Sequence, residues 1–212
     1  FVVNRFFVPW LNEACLLLEE GVGTAAQIDA VSRKSFDIGM GPFALMNLTG
    51  PPIALHSTDY LAEQLETPRY RGAANLRKLV EEGSMWDING PEDYDQETSK
   101  IISERLLGQV FSVSSQIVEE GVCSMEDVDR GAKVGLRWAK GPFEIANEIG
   151  VSNASRMASD YSDMANIEVP AWFINRKEKF KFSYVDLEIE GHVAKVKLNT
   201  VSYTHLRAHE TI

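Results

Sequence analysis

The feature that most constrains this chain is an internal repeat with a constant offset of 100 residues and no gap. Residues 1–50 contain LLLEEGVGTAAQIDAVSRKSFDIGMGPFALMNLTG, and residues 101–150 contain QIVEEGVCSMEDVDRGAKVGLRWAKGPFEIANEIG. Eleven aligned positions are identical: Arg5/Arg105, Glu19–Val22 with Glu119–Val122, Asp29/Asp129, Gly41–Phe43 with Gly141–Phe143, Asn47/Asn147 and Gly50/Gly150. Self-similarity at a fixed period indicates duplicated structural units. We therefore predict one copy over residues 1–90 and a degenerate second copy over residues 97–178.

Apolar residues at helical spacing predict the same elements in each copy. In the first copy they predict helices over residues 2–20, from Ala25, over 43–65 and over 73–82. Pro9 is expected to kink the first helix, and Gly21 to end it in a left-handed conformation. Thr24, and Ser124 in the second copy, are predicted N-caps, and Pro42 suits the first turn of the next helix. Period-two alternation is absent before residue 180, so the predicted fold class is all-α.

The end of the chain has a different pattern. Val185, Leu187 and Ile189 alternate with acidic residues, and Ala194, Val196 and Leu198 alternate with lysines around Gly191-His192. This predicts a β-hairpin, reached through a linker at residues 177–181. Two strands do not form a stable fold alone, so residues 183–199 are expected to begin a truncated β-containing domain. Residues 200–212 (TVSYTHLRAHETI) are typical of an adaptor-derived, non-native tail.

Composition excludes several classes of protein. The 21 basic and 31 acidic residues give a formal net charge of −10, which disfavours binding to nucleic acid or to an anionic membrane. No apolar run approaches the ~20 residues that span a bilayer. Cys15 and Cys123 are both predicted to be buried free thiols. Because the chain has no signal peptide and no initial Met, we expect a piece of a longer protein from a reducing cytoplasm.

The repeat carries motifs of a known family. The pattern VNR-x-x-x-P from Val3, then E-x-G-V, ID, and GPF followed by a short run to Gly50, resembles the C-terminal domain of the 3-hydroxyacyl-CoA dehydrogenases. The second copy resembles the tandem arrangement in multifunctional β-oxidation enzymes. The hairpin VDLEIEGHVAKVKLN is similar to the opening strands of enoyl-CoA hydratases of the crotonase family, although Thr200-Val201 replaces the usual Arg-Pro.

The resemblance implies a fragment of a bifunctional cytoplasmic enzyme that oxidises 3-hydroxyacyl-CoA to 3-oxoacyl-CoA with NAD and is fused to an enoyl-CoA hydratase. The family's NAD site and catalytic His/Glu pair lie in a domain before the VNR motif. Gly21-Val22-Gly23 follows a helix and lacks a third glycine, so it is rejected as a dinucleotide turn. The fragment is thus expected to bind no cofactor or metal itself and to be inactive alone. Its expected partners are the acyl-CoA substrate, the N-terminal nucleotide-binding domain and the C-terminal hydratase domain.

The resemblance maps one catalytic residue onto this chain. Asn4, in the VNR motif, aligns with the asparagine that helps to hold the active-site histidine and the reacting carbonyl region. A carboxamide offers donors and an acceptor without charge, although an Asn near a helix start can also be a simple cap. The second copy has Glu104 at this position, which cannot donate when it is ionised. We therefore predict that the second copy is catalytically silent and serves for packing.

The remaining candidates receive structural interpretations. Arg5 and Arg105 occur in both copies, which favours an ion pair over contact with a CoA phosphate. The same logic assigns Glu20, Asp29, Gly41–Phe43 and Asn47 to architecture. His56 has no second ligand at metal spacing. The acidic residues of the second copy are predicted to form a solvated face: Glu97, Glu104, Glu119, Glu120, Glu126, Asp127 and Asp129.

Two other functions remain open at this point. One is a non-catalytic helical interaction module that kept the repeat and lost the chemistry. The other is the C-terminal domain of a different NAD-dependent hydroxy-acid dehydrogenase. The intact VNR motif argues against the first, and the tandem GPF motif with the hydratase-like hairpin argues against the second.

Overall fold

The computed structural model describes residues 2–183 and 185–198, with the backbone alone at positions 186 and 198. These residues divide into two compact units, with the boundary between Lys179 and Phe180. That boundary lies within the predicted linker at residues 177–181. The predicted non-native tail, with His205 and His209, lies outside the described residues.

The first unit is mostly helical and contains no strand in the part of the chain that the structure describes, which confirms the all-α prediction for these residues. Its first half contains α1 (Val2–Glu19), α2 (Ala25–Phe36), α3 (Pro42–Thr49), α4 (Pro51–Gln64), a 3₁₀ turn (Pro68–Tyr70) and α5 (Ala74–Glu81). Its second half contains α6 (Gln96–Glu119), α7 (Met125–Gly135), α8 (Pro142–Ile149), α9 (Val151–Ala165) and the short α10 (Ala171–Ile174). Helices α6 to α9 end within one residue of α1 to α4 once the offset of 100 is subtracted.

The predicted helix ends are confirmed at the first two helices of each half. Gly21 and Gly121 adopt left-handed conformations with φ of 72° and 66°. Thr24 accepts a hydrogen bond from the backbone N–H of Gln27 at 3.2 Å, and Ser124 accepts one from Asp127 at the same distance. Each cap satisfies an amide that the first helical turn leaves free. The two halves therefore make the same turn in the same way.

The prediction of one long helix over residues 43–65 is wrong, because the helix is interrupted at Gly50. Gly50 has φ of 101° and lies between α3 and α4, a conformation that side-chain-bearing residues rarely adopt. Pro51 follows directly, and its missing N–H suits only the first turn of a new helix. Pro9, by contrast, lies inside α1, which continues through it.

The core of the helical unit is built around α1 and α6, which pack against each other. Their inward faces are fully buried: Phe6, Trp10 and Leu17 on α1, and Leu106, Val110 and Ile117 on α6. Helix α9 packs closely on α6, since a Cβ built at Gly108 would overlap the carbonyl oxygen of Met157.

The second unit contains the predicted hairpin. Strands β1 (Val185–Glu190) and β2 (Val193–Leu198) pair antiparallel, from Val185 opposite Leu198 to Glu190 opposite Val193. Gly191, with φ of 62°, supplies the left-handed residue of the two-residue turn.

Among the described helices of the chain, none is long and apolar enough to cross a membrane.

Candidate functional site

Asn4 lies at the surface of an open cleft of about 740 Å³. Its side chain is exposed and makes no hydrogen bond to the residues that the structure describes. The carboxamide is therefore accessible from outside the helical unit, and both its donors and its acceptor are available. This placement leaves the amide group available to contact a molecule in the cleft.

The walls of the cleft are mostly apolar and come from both halves of the helical unit. Helix α1 contributes Asn4, Phe7, Val8, Trp10 and Leu11. The segment after α2 and helices α3 and α4 contribute Ile38, Gly39, Met40, Leu45, Leu48, Thr49, Ile53, Ala54 and Ser57. The second half contributes Gly135, Leu136, Arg137 and Trp138. An apolar cleft with a few polar groups is the usual form of a small-molecule site.

Leu48 and Ile53 are 71% and 61% exposed, although both are large and apolar. Arg137 has the one charged side chain among the described residues that line the cleft, and it adopts a left-handed conformation with φ of 57°. The cleft therefore presents apolar surface, a neutral amide and a cation to any molecule that enters it.

The second half differs at the positions that correspond to the cleft. Glu104, which stands at the Asn4 position, accepts hydrogen bonds from Arg156 at 2.6 and 3.2 Å. Gly108 replaces Val8 and lets α9 pack directly on α6. The carboxylate is thus engaged in an ion pair, and helix–helix packing occupies the space beside it.

Arg5 and Arg105 form reciprocal ion pairs between the two halves, as the structural interpretation predicted. Arg5 donates to both oxygens of Glu120, at 2.5 and 2.9 Å, and Arg105 donates to both oxygens of Glu20. These arginines lower the pKa of Glu20 and of Glu120, because each hydrogen bond favours the ionised carboxylate. Sequence reasoning did not identify these partners, although all four residues belong to the repeated positions.

Asp29 and Asp129 cap α3 and α8 from a distance along the chain. Asp29 accepts the amides of Phe43 and Ala44 at 2.8 and 2.9 Å, and Asp129 accepts those of Phe143 and Glu144 at 2.9 and 3.0 Å. Gly41 and Gly141 are required because a Cβ on either would overlap the aspartate. The architectural role predicted for Asp29 is confirmed.

The predicted solvated acidic face is wrong at Asp129, which is buried. Its two amide bonds to α8 explain why a carboxylate is found there. Burial nevertheless raises the pKa of Asp129 to about 7, against the effect of those amides, which favour the ionised form. Glu97, Glu119, Glu120 and Asp127 are exposed as expected, and Glu104 and Glu126 are half-buried.

The cysteines and His56 are simple cases. Cys15 is a buried free thiol, as predicted, and burial raises its pKa. Cys123 is only half-buried, because it lies in the turn before α7, so its predicted burial is wrong. His56 is exposed on α4 and lies against Tyr60.

Sequence reasoning missed a buried carboxylate at the junction of the two halves. Glu13 is 1% exposed. It accepts hydrogen bonds from Arg69, from Arg105 at 2.6 Å and from the hydroxyl of Tyr161 at 3.0 Å. The repeat gave no signal for it, because the corresponding residue of the second half is Val113.

Comparison with known proteins identifies the family. Residues 1–96 and 101–176 match the sequence model of the 3-hydroxyacyl-CoA dehydrogenase C-terminal domain. The chain therefore belongs to this family. A crystal structure of 3-hydroxybutyryl-CoA dehydrogenase from Escherichia coli K12 has the same fold over 82% of this chain and 59% of its own, with a TM-score of 0.70 and 14% identity.

The chain matches only part of the length of each of three curated relatives. The 3-hydroxybutyryl-CoA dehydrogenase of Bradyrhizobium diazoefficiens is 34% identical over 105 residues, which are 50% of this chain and 36% of the relative. A probable 3-hydroxybutyryl-CoA dehydrogenase of Bacillus subtilis is 35% identical over 97 residues, or 46% and 34%. The fatty acid oxidation complex subunit alpha of Shewanella baltica is 23% identical over 190 residues, or 76% and 26%. The chain spans about a third of the length of the first two relatives.

Proposed function

We propose that this chain is the helical part of a fatty-acid β-oxidation enzyme that oxidises 3-hydroxyacyl-CoA to 3-oxoacyl-CoA with NAD. The observation that carries the proposal is the apolar cleft with Asn4 on its wall. The acyl group would occupy the cleft, and Asn4 would face the reacting end of the substrate. Membership of the dehydrogenase family supports this assignment.

The described residues do not fit a dinucleotide site. A site of that kind needs a strand, a glycine-rich turn and the start of a helix, and the described residues up to Lys179 contain no strand. We therefore assign NAD binding to a nucleotide-binding domain that precedes Asn4 in the parent protein. That domain would also supply the catalytic histidine and glutamate.

Within the reaction, Asn4 would act through its neutral carboxamide. It can donate to a substrate oxygen or hold an imidazole ring while it leaves proton transfer to the histidine. The surrounding apolar walls would exclude water from the reacting end. These roles require an accessible amide, and they are supported by the exposure of Asn4 and by its lack of a side-chain hydrogen bond to the described residues.

We further propose that the second half is a silent copy of the first, produced by tandem duplication, and that the hairpin begins an enoyl-CoA hydratase domain. The repeated ion pairs and caps support the first statement, as does the two-part match to the family. The resemblance of VDLEIEGHVAKVKLN to crotonase-family strands supports the second. In such a parent, the second half would replace the partner subunit of a homodimer.

Two assays test the proposal. The 212-residue chain alone should show no NAD-coupled turnover of 3-hydroxybutyryl-CoA, and turnover above background would contradict the domain assignment.

In the full-length parent, Asn4→Ala should lower kcat by roughly 10²-fold or more, the usual range for a lost transition-state contact. Glu104→Ala is the matched control at the repeated position and should leave kcat near that of the wild type. Unchanged kinetics for Asn4→Ala would remove Asn4 from the site and favour a non-catalytic interaction module.

A further inference from the structure

The cleft beside Asn4 is complete only when the second half is present. Residues 135–138, from the last residue of α7 into the segment after it, form one part of its wall, while α1, α3, α4 and residues 38–40 of the first half form the rest. A role for the second half in packing alone does not account for this. The question is what these four residues do to a molecule in the cleft.

The segment is held firmly in place. Trp138 is 4% exposed. The centroid of its ring lies 5.9 Å from the ring centroid of Phe6, 5.8 Å from that of Trp10 and 4.9 Å from that of Phe36. The amides of Leu136 and Trp138 both donate to the carbonyl of Ala132, at 3.1 and 3.2 Å. The wall is therefore positioned by an aromatic cluster on one side and by the end of α7 on the other.

Helix α7 also approaches α1 closely. A Cβ built at Gly131 would lie 2.9 Å from a methyl group of Val3, and one at Gly135 would lie 3.6 Å from it. Small residues at these two positions bring the end of α7 against the start of α1. This approach places Leu136 on the wall of the same cleft as Asn4.

Leu136 is the residue of this segment best suited to contact an apolar ligand. Trp138 is buried against other aromatic rings, Gly135 has no side chain, and Arg137 is charged and exposed. Leu136 is apolar and half-buried, so part of its surface remains available. Val134, two residues earlier, is 59% exposed and does not line the cleft.

We infer that Leu136 is a specificity-determining residue: the silent half selects the length of the acyl chain that the first half accepts. This inference rests on the proposed function. A larger side chain at position 136 would reduce the volume open to the acyl chain, and a smaller one would increase it. One methylene group in an apolar pocket changes discrimination by roughly 10-fold or more.

The test measures binding of butyryl-, octanoyl- and dodecanoyl-CoA to the 212-residue chain by isothermal titration calorimetry. Leu136→Trp should weaken dodecanoyl-CoA relative to butyryl-CoA by at least about tenfold. Leu136→Ala should shift the same ratio in the opposite direction. Val134→Trp and Val134→Ala are the matched controls and should behave as the wild type, with circular dichroism used to confirm folding.

Three outcomes are decisive. Opposite shifts in the two Leu136 variants, with unchanged Val134 controls, support the inference. Wild-type affinity that depends on chain length but is unaltered by both Leu136 variants would overturn the inference and leave the proposed function standing. Wild-type affinity that does not depend on chain length, or no binding, would remove the cleft as an acyl site and would overturn both.

Discussion

At the scale of single residues, aspartates held away from water organise the start of a helix in each half. Asp29 and Asp129 each accept two amides from the first turn of the helix that follows a Gly-Pro-Phe sequence. The glycine is needed because the aspartate occupies the space of its missing side chain. A carboxylate is favoured at this end of a helix, but burial acts against its charge.

This opposition predicts a pH dependence at Asp129. Its pKa in the folded state is about 7, above the usual value of an aspartate, so the folded protein binds a proton that the unfolded chain releases. Its contribution to stability is fully present below about pH 4 and is lost as the pH rises through 7. The free energy of unfolding of the wild type minus that of Asp129→Asn should fall by roughly 3 kcal/mol from pH 5 to pH 8.

Urea unfolding of both proteins at each pH measures that difference. Because groups common to the two proteins contribute equally, only residue 129 determines the slope. A difference that stays constant or rises with pH would mean that the two amide donors outweigh burial and keep Asp129 ionised.

At the scale of elements, one glycine decides how closely two helices approach. Helices α6 and α9 meet at Gly108, where there is no space for a side chain, whereas Val8 occupies the corresponding position of α1. Beside Val8 the cleft is open, and beside Gly108 the helices are in contact. The face of the first half is therefore open and that of the second half closed because α1 and α6 carry residues of different size at this repeated position.

Gly108→Ala should lower the free energy of unfolding by about 2–3 kcal/mol, because the new methyl group would force the α6 and α9 backbones apart. Gly90→Ala is the control: its new Cβ would meet Ala26 at 3.8 Å, an ordinary contact. Chemical denaturation of the two variants makes the comparison. Equal stabilities would show that α9 can move away from α6 at little cost.

Much of the helical architecture follows from the sequence, since apolar spacing and the cap residues Thr24 and Ser124 specify helices locally. The break at Gly50 was missed because the apolar pattern continues across it, although the sequence Gly50-Pro51-Pro52 is itself a signal for the end of one helix and the start of another. The roles of Asp129 and Glu13 were missed for a different reason. A buried charge is indistinguishable from a solvated one until its partners, which are distant in sequence, are known. The same applies to the cleft, where residues 135–138 join Asn4 only in three dimensions.

At the scale of the whole molecule, two unequal sets of charges join the halves. Arg5 and Glu120 form a pair in which the carboxylate is half exposed. Arg105 pairs with Glu20 and also with Glu13, which is buried and shared with Arg69. The two arginines occupy repeated positions, but only Arg105 compensates a charge that has no access to water.

Arg105→Met should therefore cost about 3 kcal/mol of stability, because it leaves the buried Glu13 with weaker compensation. Arg5→Met, the matched variant in the first half, should cost about 1 kcal/mol or less, as is typical of exposed pairs. Thermal or urea unfolding of both variants gives the comparison. Similar losses in the two proteins would show that Glu13 does not depend on Arg105.

The contact between Gly108 and Met157 has a consequence for counting bound molecules. A chain with two equally open faces would bind two ligands at saturation. Here the corresponding face of the second half is closed by the backbone of α9, which packs against α6 at Gly108. Any compound that occupies the opening beside Asn4 should therefore reach an endpoint of one per polypeptide. The asymmetry between the two faces follows from the smaller residue, Gly108, at the position that corresponds to Val8, rather than from a larger one.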